Sequence, residues 1–278
     1  MTSPRSDLAL EAAQLLARDK KIFSSPGIKA AHIWRDGYEM TDIRVTSSQG
    51  AAALGKPKGR YVTLDLRPYF RREAQFFPRA VRCLARELRR LLPPGQPGCT
   101  LVVGLGNRSL AADAIGPMAV ENLLVTRHLR AGPGALRELA SVAALCPGVS
   151  AATGMETLEL LSGAAAAIRP GAIVCIDALC ARARERLCAT VQLSDTGLVP
   201  GSGVGNHRRA IDRDALGVPV IALGVPTVID AGEEGDPLFV TPGDIDSRVR
   251  ELGRILGCAI TQALQPSLTL EDIMGLLG

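Results

Sequence analysis

TLVVGLGNRSLAADAIGPMAVENLLVTRHL, residues 100–129, is the stretch on which the fold reading turns. Thr100–Gly104 is a short, unbroken apolar run and reads as a buried strand. LGNRSL then supplies loop residues, and 112–129 carries apolar positions at helical spacing, predicting one long helix. A strand without polar alternation must be covered on both faces, and strand–loop–helix order is the unit of a parallel sheet layered between helices. Working outward, IVCID (173–177) is a second such strand, with an Ala-rich helix expected over 178–186. Residues 190–193 and 218–223 are further strands. Helices are expected over 7–20, with Asp7 as N-cap, and over 71–92, adjusted near Pro78 and stopped by LPPGQPG. Others are expected from Thr153 to the Arg169-Pro170-Gly171 stop, over 243–263, and over 269–277, where Thr269 is the cap and Asp272 lies three residues on. Residues 21–60 predict short antiparallel strands such as 43–45, 61–66 is a strand, and 131–152 reads as turn-rich. The expected architecture is an α/β three-layer sandwich. It has a mostly parallel sheet, helices on both faces, a small N-terminal β-rich extension and no linker dividing it.

Composition agrees. Hydrophobic residues make up 47% of the 278 and aromatics only 3%, so Ala, Val, Leu and Ile must build the core. A net charge of +4, spread rather than blocked, gives no reason to expect a direct nucleic-acid partner. Arg182, Arg184 and Arg186 read as a solvated face. Seven cysteines without a C-x-x-C pair do not make a disulfide framework and suit a reduced, intracellular setting. No apolar run is long enough to span a membrane, and the first residues lack the apolar core of a signal peptide.

Ligands in open α/β sheets gather beyond the carboxyl ends of the strands. Gly104, Gly106 and Asn107 occupy such an end, although Ser109 stands where a phosphate loop needs its third glycine. Gly201, Ser202, Gly203, Gly205 and Asn206 form a glycine-dense loop, read either as a structural or mobile loop or as a cleft loop that binds an extended substrate backbone. Asp113 is either an acid favoured by a helix N-terminus or a functional carboxylate. Asp177 ends an apolar run, so it must be hydrogen-bonded, paired or functional. If both face one cleft, mutual repulsion would separate their proton affinities and leave one acid and one base. The three histidines share no metal-ligand spacing, no zinc signature occurs, and no G-x-S-x-G elbow is present. Neither a metal nor a cofactor is expected.

Four strings then carry a resemblance. GLGNRSLAADAIGPMAVENLLVTRHL (104–129), CPGVSAATGMET (146–157), IVCIDALCARARERLCATVQLSDTGLVPGSGVGN (173–206) and GVPVIALGVPTVID (217–230) are similar, in order, to the germination proteases of spore-forming bacteria. The likeness spans roughly residues 5–264. It implies an atypical aspartic endopeptidase, with a fold like that of hydrogenase-maturation endopeptidases. The implied substrates are small acid-soluble spore proteins, and the implied working form is a homotetramer in the cytoplasm of the spore core. It places the catalytic pair on Asp113 and Asp177. It also implies a zymogen that cuts itself at a substrate-like site, an acid followed by an apolar residue, Ala, any residue and Glu. Ser6-Asp7-Leu8-Ala9-Leu10-Glu11 fits, so cleavage is expected between Asp7 and Leu8, leaving 1–7 as pro-segment and 8–278 as a single peptidase domain. Family members carry a longer segment where this chain has only AGEEGD (231–236). Two other classes remain open: a metal-dependent maturation-type peptidase, which needs a third ligand beside the carboxylates, and an inactive binding or scaffold homologue.

Overall fold

A computed structural model describes residues 6–18, 26–95, 98–131, 138–205, 208–232 and 238–278. Its strands are β1 Ile28–Arg35, β2 Tyr38–Val45, β3 Gly59–Asp65, β4 Thr100–Leu105, β5 Val142–Gly148, β6 Ala172–Ala181, β7 Thr190–Ser194, β8 Val220–Asp230 and β9 Phe239–Val240. The helices are α1 Ala9–Arg18, α2 Ser48–Leu54, α3 Arg67–Phe70, α4 Phe76–Leu91, α5 Ile115–Glu121, α6 Ser150–Thr153, α7 Thr157–Ile168, α8 Arg213–Leu216, α9 Ile245–Leu264 and α10 Leu270–Leu277.

One nine-stranded sheet runs β1-β2-β3-β7-β8-β6-β4-β5, with β9 on β8. The α/β sandwich is the expected one, but its sheet is mixed. Strands β8, β6, β4 and β5 are parallel, whereas every pairing from β1 through β7 to β8 is antiparallel. Three of the parallel strands, β4, β6 and β8, are the apolar runs that sequence reading picks out. Successive residues alternate between two cores. Val102, Val174 and Ile176 join Leu84, Leu88, Leu252 and Leu256 of α4 and α9. Leu101, Val103, Ile173 and Cys175 pack with Leu161 of α7. A third cluster seats Ala9, Leu10 and Ala13 of α1 against Ile43, Val45 and Tyr61 of the extension.

Several local expectations change. The long helix over 112–129 is instead a 3-10 turn, Ala111–Asp113, followed by the short α5. At its end the Asn122 side-chain amide donates to the Met118 carbonyl, 2.8 Å, taking the acceptor that a continuing helix would use. The helix expected over 178–186 is strand as far as Ala181, because β6 keeps pairing with β8 past a bulge at Leu179/Cys180. Inter-strand pairing outweighs alanine's helix preference there. The turn-rich 131–152 contains β5, an edge strand that tolerates Pro147 because no neighbour needs its missing N–H. Asp36-Gly37, both at positive φ (51° and 81°), makes the two-residue turn of the β1–β2 hairpin. Pro78 sits inside the first turn of α4, where no helical N–H is needed. Thr269 and Asp272 do form the reciprocal cap of α10.

Candidate active site

Asp177 lies on β6 opposite Gly224 of β8, and Gly224 in turn lies opposite Gln192 of β7. Residues in register share a face, so the Asp177 and Gln192 side chains rise from the same side of the sheet. They stand two strand spacings apart, roughly 10 Å between Cα atoms. Asp113 reaches the same region from the turn after β4. That turn is tight because Gly106 takes φ 106°, and a Cβ there would lie 2.0 Å from the Asp113 carbonyl oxygen. The Asn107 N–H donates to Asp113 Oδ2, 2.8 Å, while the Asn107 side chain accepts the Ser109 N–H, 2.9 Å. From the other side Thr227 Oγ1 donates to the Ala112 carbonyl, 2.6 Å.

Gly104 belongs to β4 and permits a close approach: a Cβ on it would sit 2.5 Å from the Gly116 carbonyl oxygen. Gly116 in turn touches the backbone of Leu105 and Ile176. Two glycines thus let the start of α5 rest directly on β4 and β6, which sets the Asp113 turn against Asp177. Gly201 and Gly205, both left-handed, bracket the turn Ser202–Val204. Asn206 falls outside the described residues.

A cleft of about 730 Å³ includes Asp7, Asp113 and Asp177 in its walls, within the size range of ligand-binding clefts. Burial pushes the Asp177 carboxyl well above the ordinary carboxylate range, the charges of Asp113 and then Asp7 push it further, and the Ala178 N–H opposes them. Burial also raises Asp113, and the Asn107 N–H and the Arg208 charge offset only part of that rise. Two carboxyls close enough to influence each other therefore differ in proton affinity, with Asp177 the tighter holder. Among the described residues no group of three or more His, Cys, Asp or Glu is placed to hold a metal ion.

The segment from Ser6 to Glu11 enters this cleft wall at Asp7. The Asp7 N–H donates to the Cys180 carbonyl and the Cys180 N–H to Asp7 Oδ2, both 2.9 Å. Ser202 Oγ donates to Asp7 Oδ1, 2.7 Å. Gly203 lies under the same carboxylate, where a Cβ would come within 2.0 Å of Oδ2. Asp7 is thus held by the glycine-dense loop and is not the cap of α1; Ser6 Oγ takes the Leu8 N–H instead, 3.1 Å. Leu8 is fully buried. Glu11, only 4% exposed, accepts the N–H groups of Arg182, 2.7 Å, and Ala183, 2.9 Å. The Asp7 carbonyl oxygen takes Lys56 Nζ at 2.9 Å and Gln192 Nε2 at 3.4 Å. Gln192 Oε1 accepts the Ala9 N–H, 2.7 Å.

Sequence reading did not find Lys56, Gln192 or the amides after Asp177. Lys56 sits in an ordinary turn, and the amides belong to a segment expected to be helix. Glu11 was visible only as the last member of the substrate-like string.

Comparison with known proteins agrees with the motif strings. The germination protease family model matches residues 9–234. A germination protease of Clostridium perfringens is 35% identical, the alignment covering 98% of each chain. One from Caldanaerobacter subterraneus is also 35% identical with 98% of each covered. A third, from Priestia megaterium, is 40% identical over 91% of this chain and 69% of its own. Among solved structures, the NiFe-hydrogenase maturation protease HycI of Thermococcus kodakarensis aligns with a TM-score of 0.35 at 16% identity, over 63% of this chain and 98% of its own. By the family match across most of its length and by relatives that span it from end to end, the chain belongs to the germination protease family.

Proposed function

We propose that this family member, a peptidase of spore germination, degrades small acid-soluble spore proteins and is made as a zymogen that cuts itself between Asp7 and Leu8. In this reading Asp113 and Asp177 hydrolyse the bond through an activated water, without a covalent intermediate. The observation that carries it is the shared cleft: Asp7, at the head of a substrate-like string, lines the same walls as two carboxyls of unequal proton affinity, and its charge acts on Asp177. Asp113, held by an N–H and facing Arg208, is suited to take a proton from water. Asp177, buried and reluctant to ionise, is suited to give one to the leaving Leu8 nitrogen. The products are a carboxylic acid on Asp7 and a free amine on Leu8, and transfer of the proton from Asp113 to Asp177 resets the pair. The working form is taken to be a homotetramer in the spore core.

The test is incubation of a spore-protein peptide with wild type, Asp113→Asn and Asp177→Asn. Both variants are expected to stay folded and to leave the peptide intact. Wild-type rates in either would overturn the assignment.

A further inference from the structure

We propose that Lys56 is a further catalytic residue: its ammonium, with the Gln192 amide beside it, grips the carbonyl oxygen of the bond to be cut and takes up the negative charge that forms there. The proposal rests on the reading of Asp7–Leu8 as that bond.

Two anchors make the Asp7 carbonyl the reacting group rather than an incidental contact. Upstream, the Asp7 carboxylate is fixed by Ser202 and the Cys180 N–H. Downstream, Glu11 is fixed by the N–H groups of Arg182 and Ala183. All of these contacts except Ser202 come from β6 and the turn beyond it, within six residues of Asp177, so one stretch of chain carries a catalytic carboxyl and reads both acids of the string. With both ends held, the register of the bond between them is set. Gln192 then brackets it, its amide nitrogen on the Asp7 carbonyl and its amide oxygen on the Ala9 N–H. The row Asp177–Gly224–Gln192 places this bracket on the face that carries Asp177.

On that carbonyl oxygen Lys56 Nζ already stands at 2.9 Å, the distance that donors to a developing oxyanion adopt. Gln192 at 3.4 Å is long for a hydrogen bond and has room to shorten as the carbonyl carbon becomes tetrahedral. A contact that tightens only then lowers the barrier instead of merely binding the substrate. Lys56 is partly buried at the cleft wall. Burial lowers its proton affinity and the Asp7 charge restores part of it. Water adds to the Asp7 carbonyl carbon while Asp113 takes its proton. The electron pair moves to the oxygen facing Lys56, and it returns to expel the Leu8 nitrogen, which Asp177 protonates. Nothing else is consumed.

The alternative is that Lys56 only anchors the segment. A single experiment on the full chain separates the two. Loss of residues 1–7 is timed by mass spectrometry in wild type, Lys56→Met, Lys56→Arg and Asp177→Asn, and amide exchange over residues 6–18 reports whether the segment stays docked. Expected is a first-order rate about 10²–10³-fold lower in Lys56→Met, with Ala9 still protected and partial recovery in Lys56→Arg. A rate within about threefold of wild type in Lys56→Met, or a slow rate accompanied by lost protection, overturns the catalytic role. Wild-type cleavage in Asp177→Asn, or no cut at Asp7–Leu8 in wild type, overturns the underlying reading instead and the proposal with it.

Discussion

Replacing Glu11 with alanine should release the segment from the cleft. The side chain is 4% exposed and its carboxylate accepts two main-chain N–H groups, from Arg182 and Ala183, besides pairing with the Ser6 hydroxyl. A hydrogen bond to a charged group contributes about 1.5–3 kcal/mol, so the two amide bonds together contribute about 3–6 kcal/mol to docking. That is an upper bound, because once the segment lifts away water can reach the amides. At about 1.4 kcal/mol per factor of ten, the open population should rise by about 10²–10⁴-fold. Glutamine at position 11 is the sharper variant. It keeps the shape but offers one neutral acceptor, and its amide nitrogen must face the second N–H, so most of the loss should remain. Hydrogen exchange of amides within residues 10–16 measures the opening, with β4 and α9 as internal controls. A change below about 1 kcal/mol in Glu11→Ala, or Glu11→Gln matching wild type, would refute the claim that the two amides read the negative charge.

Asp177→Asn should raise stability at neutral pH while abolishing cleavage. The folded chain holds the Asp177 proton more tightly than the unfolded chain does, so the stability it lends is complete below the ordinary value of 3.8 and is lost as pH rises toward the raised value. Asparagine has no proton to lose, so denaturant melts of the variant should vary less between pH 4 and 7. Gly203→Ala should slow cutting after an acidic residue and cost about 1–3 kcal/mol in a melt, because the added Cβ overpacks the wall beside Cys180. Its Cβ would meet Asp7 Oδ2 at 2.0 Å and Cys180 Cβ at 2.5 Å, and the backbone there needs no glycine conformation; equal peptide-cleavage rates would contradict this. Gly116→Ala should cost about 1–3 kcal/mol in a thermal or chemical melt and reduce activity, because its Cβ would lie 2.3 Å from the Leu105 carbonyl oxygen and lift α5 off the sheet that sets Asp113. Under the proposed two-carboxylate chemistry, cleavage should be unchanged by a chelator, and its loss would favour the metal-dependent reading.

What could be read from the sequence follows from where the information lies. IVCID and TLVVG announce buried parallel strands because burial on both faces leaves no polar alternation, and Asp177 stands out because it ends such a run. The antiparallel half of the sheet was harder to read. β7 and the strands beyond it mix polar with apolar residues, and which neighbour they pair with is decided by contacts far along the chain. The helix expected after Asp177 shows the limit most clearly. Alanine and arginine favour helix locally, yet β8 offers a partner edge as far as Ile229, and pairing keeps the backbone extended to Ala181. That difference has a chemical consequence. A helix starting at Ala178 would turn its successive N–H groups into its own ladder after the first turn. The extended strand and the open turn after it instead leave the amides of Cys180, Arg182 and Ala183 free of a helical ladder, and they take the carboxylates of Asp7 and Glu11. The substrate-like string implied by the resemblance points to the two acids in the segment, and strand pairing supplies the donors that bind them. The hold on Glu11, and part of that on Asp7, therefore depends on main-chain groups whose direction no residue type encodes. A side-chain substitution at Ala183 should consequently matter less than any change that lets β6 stop at Asp177.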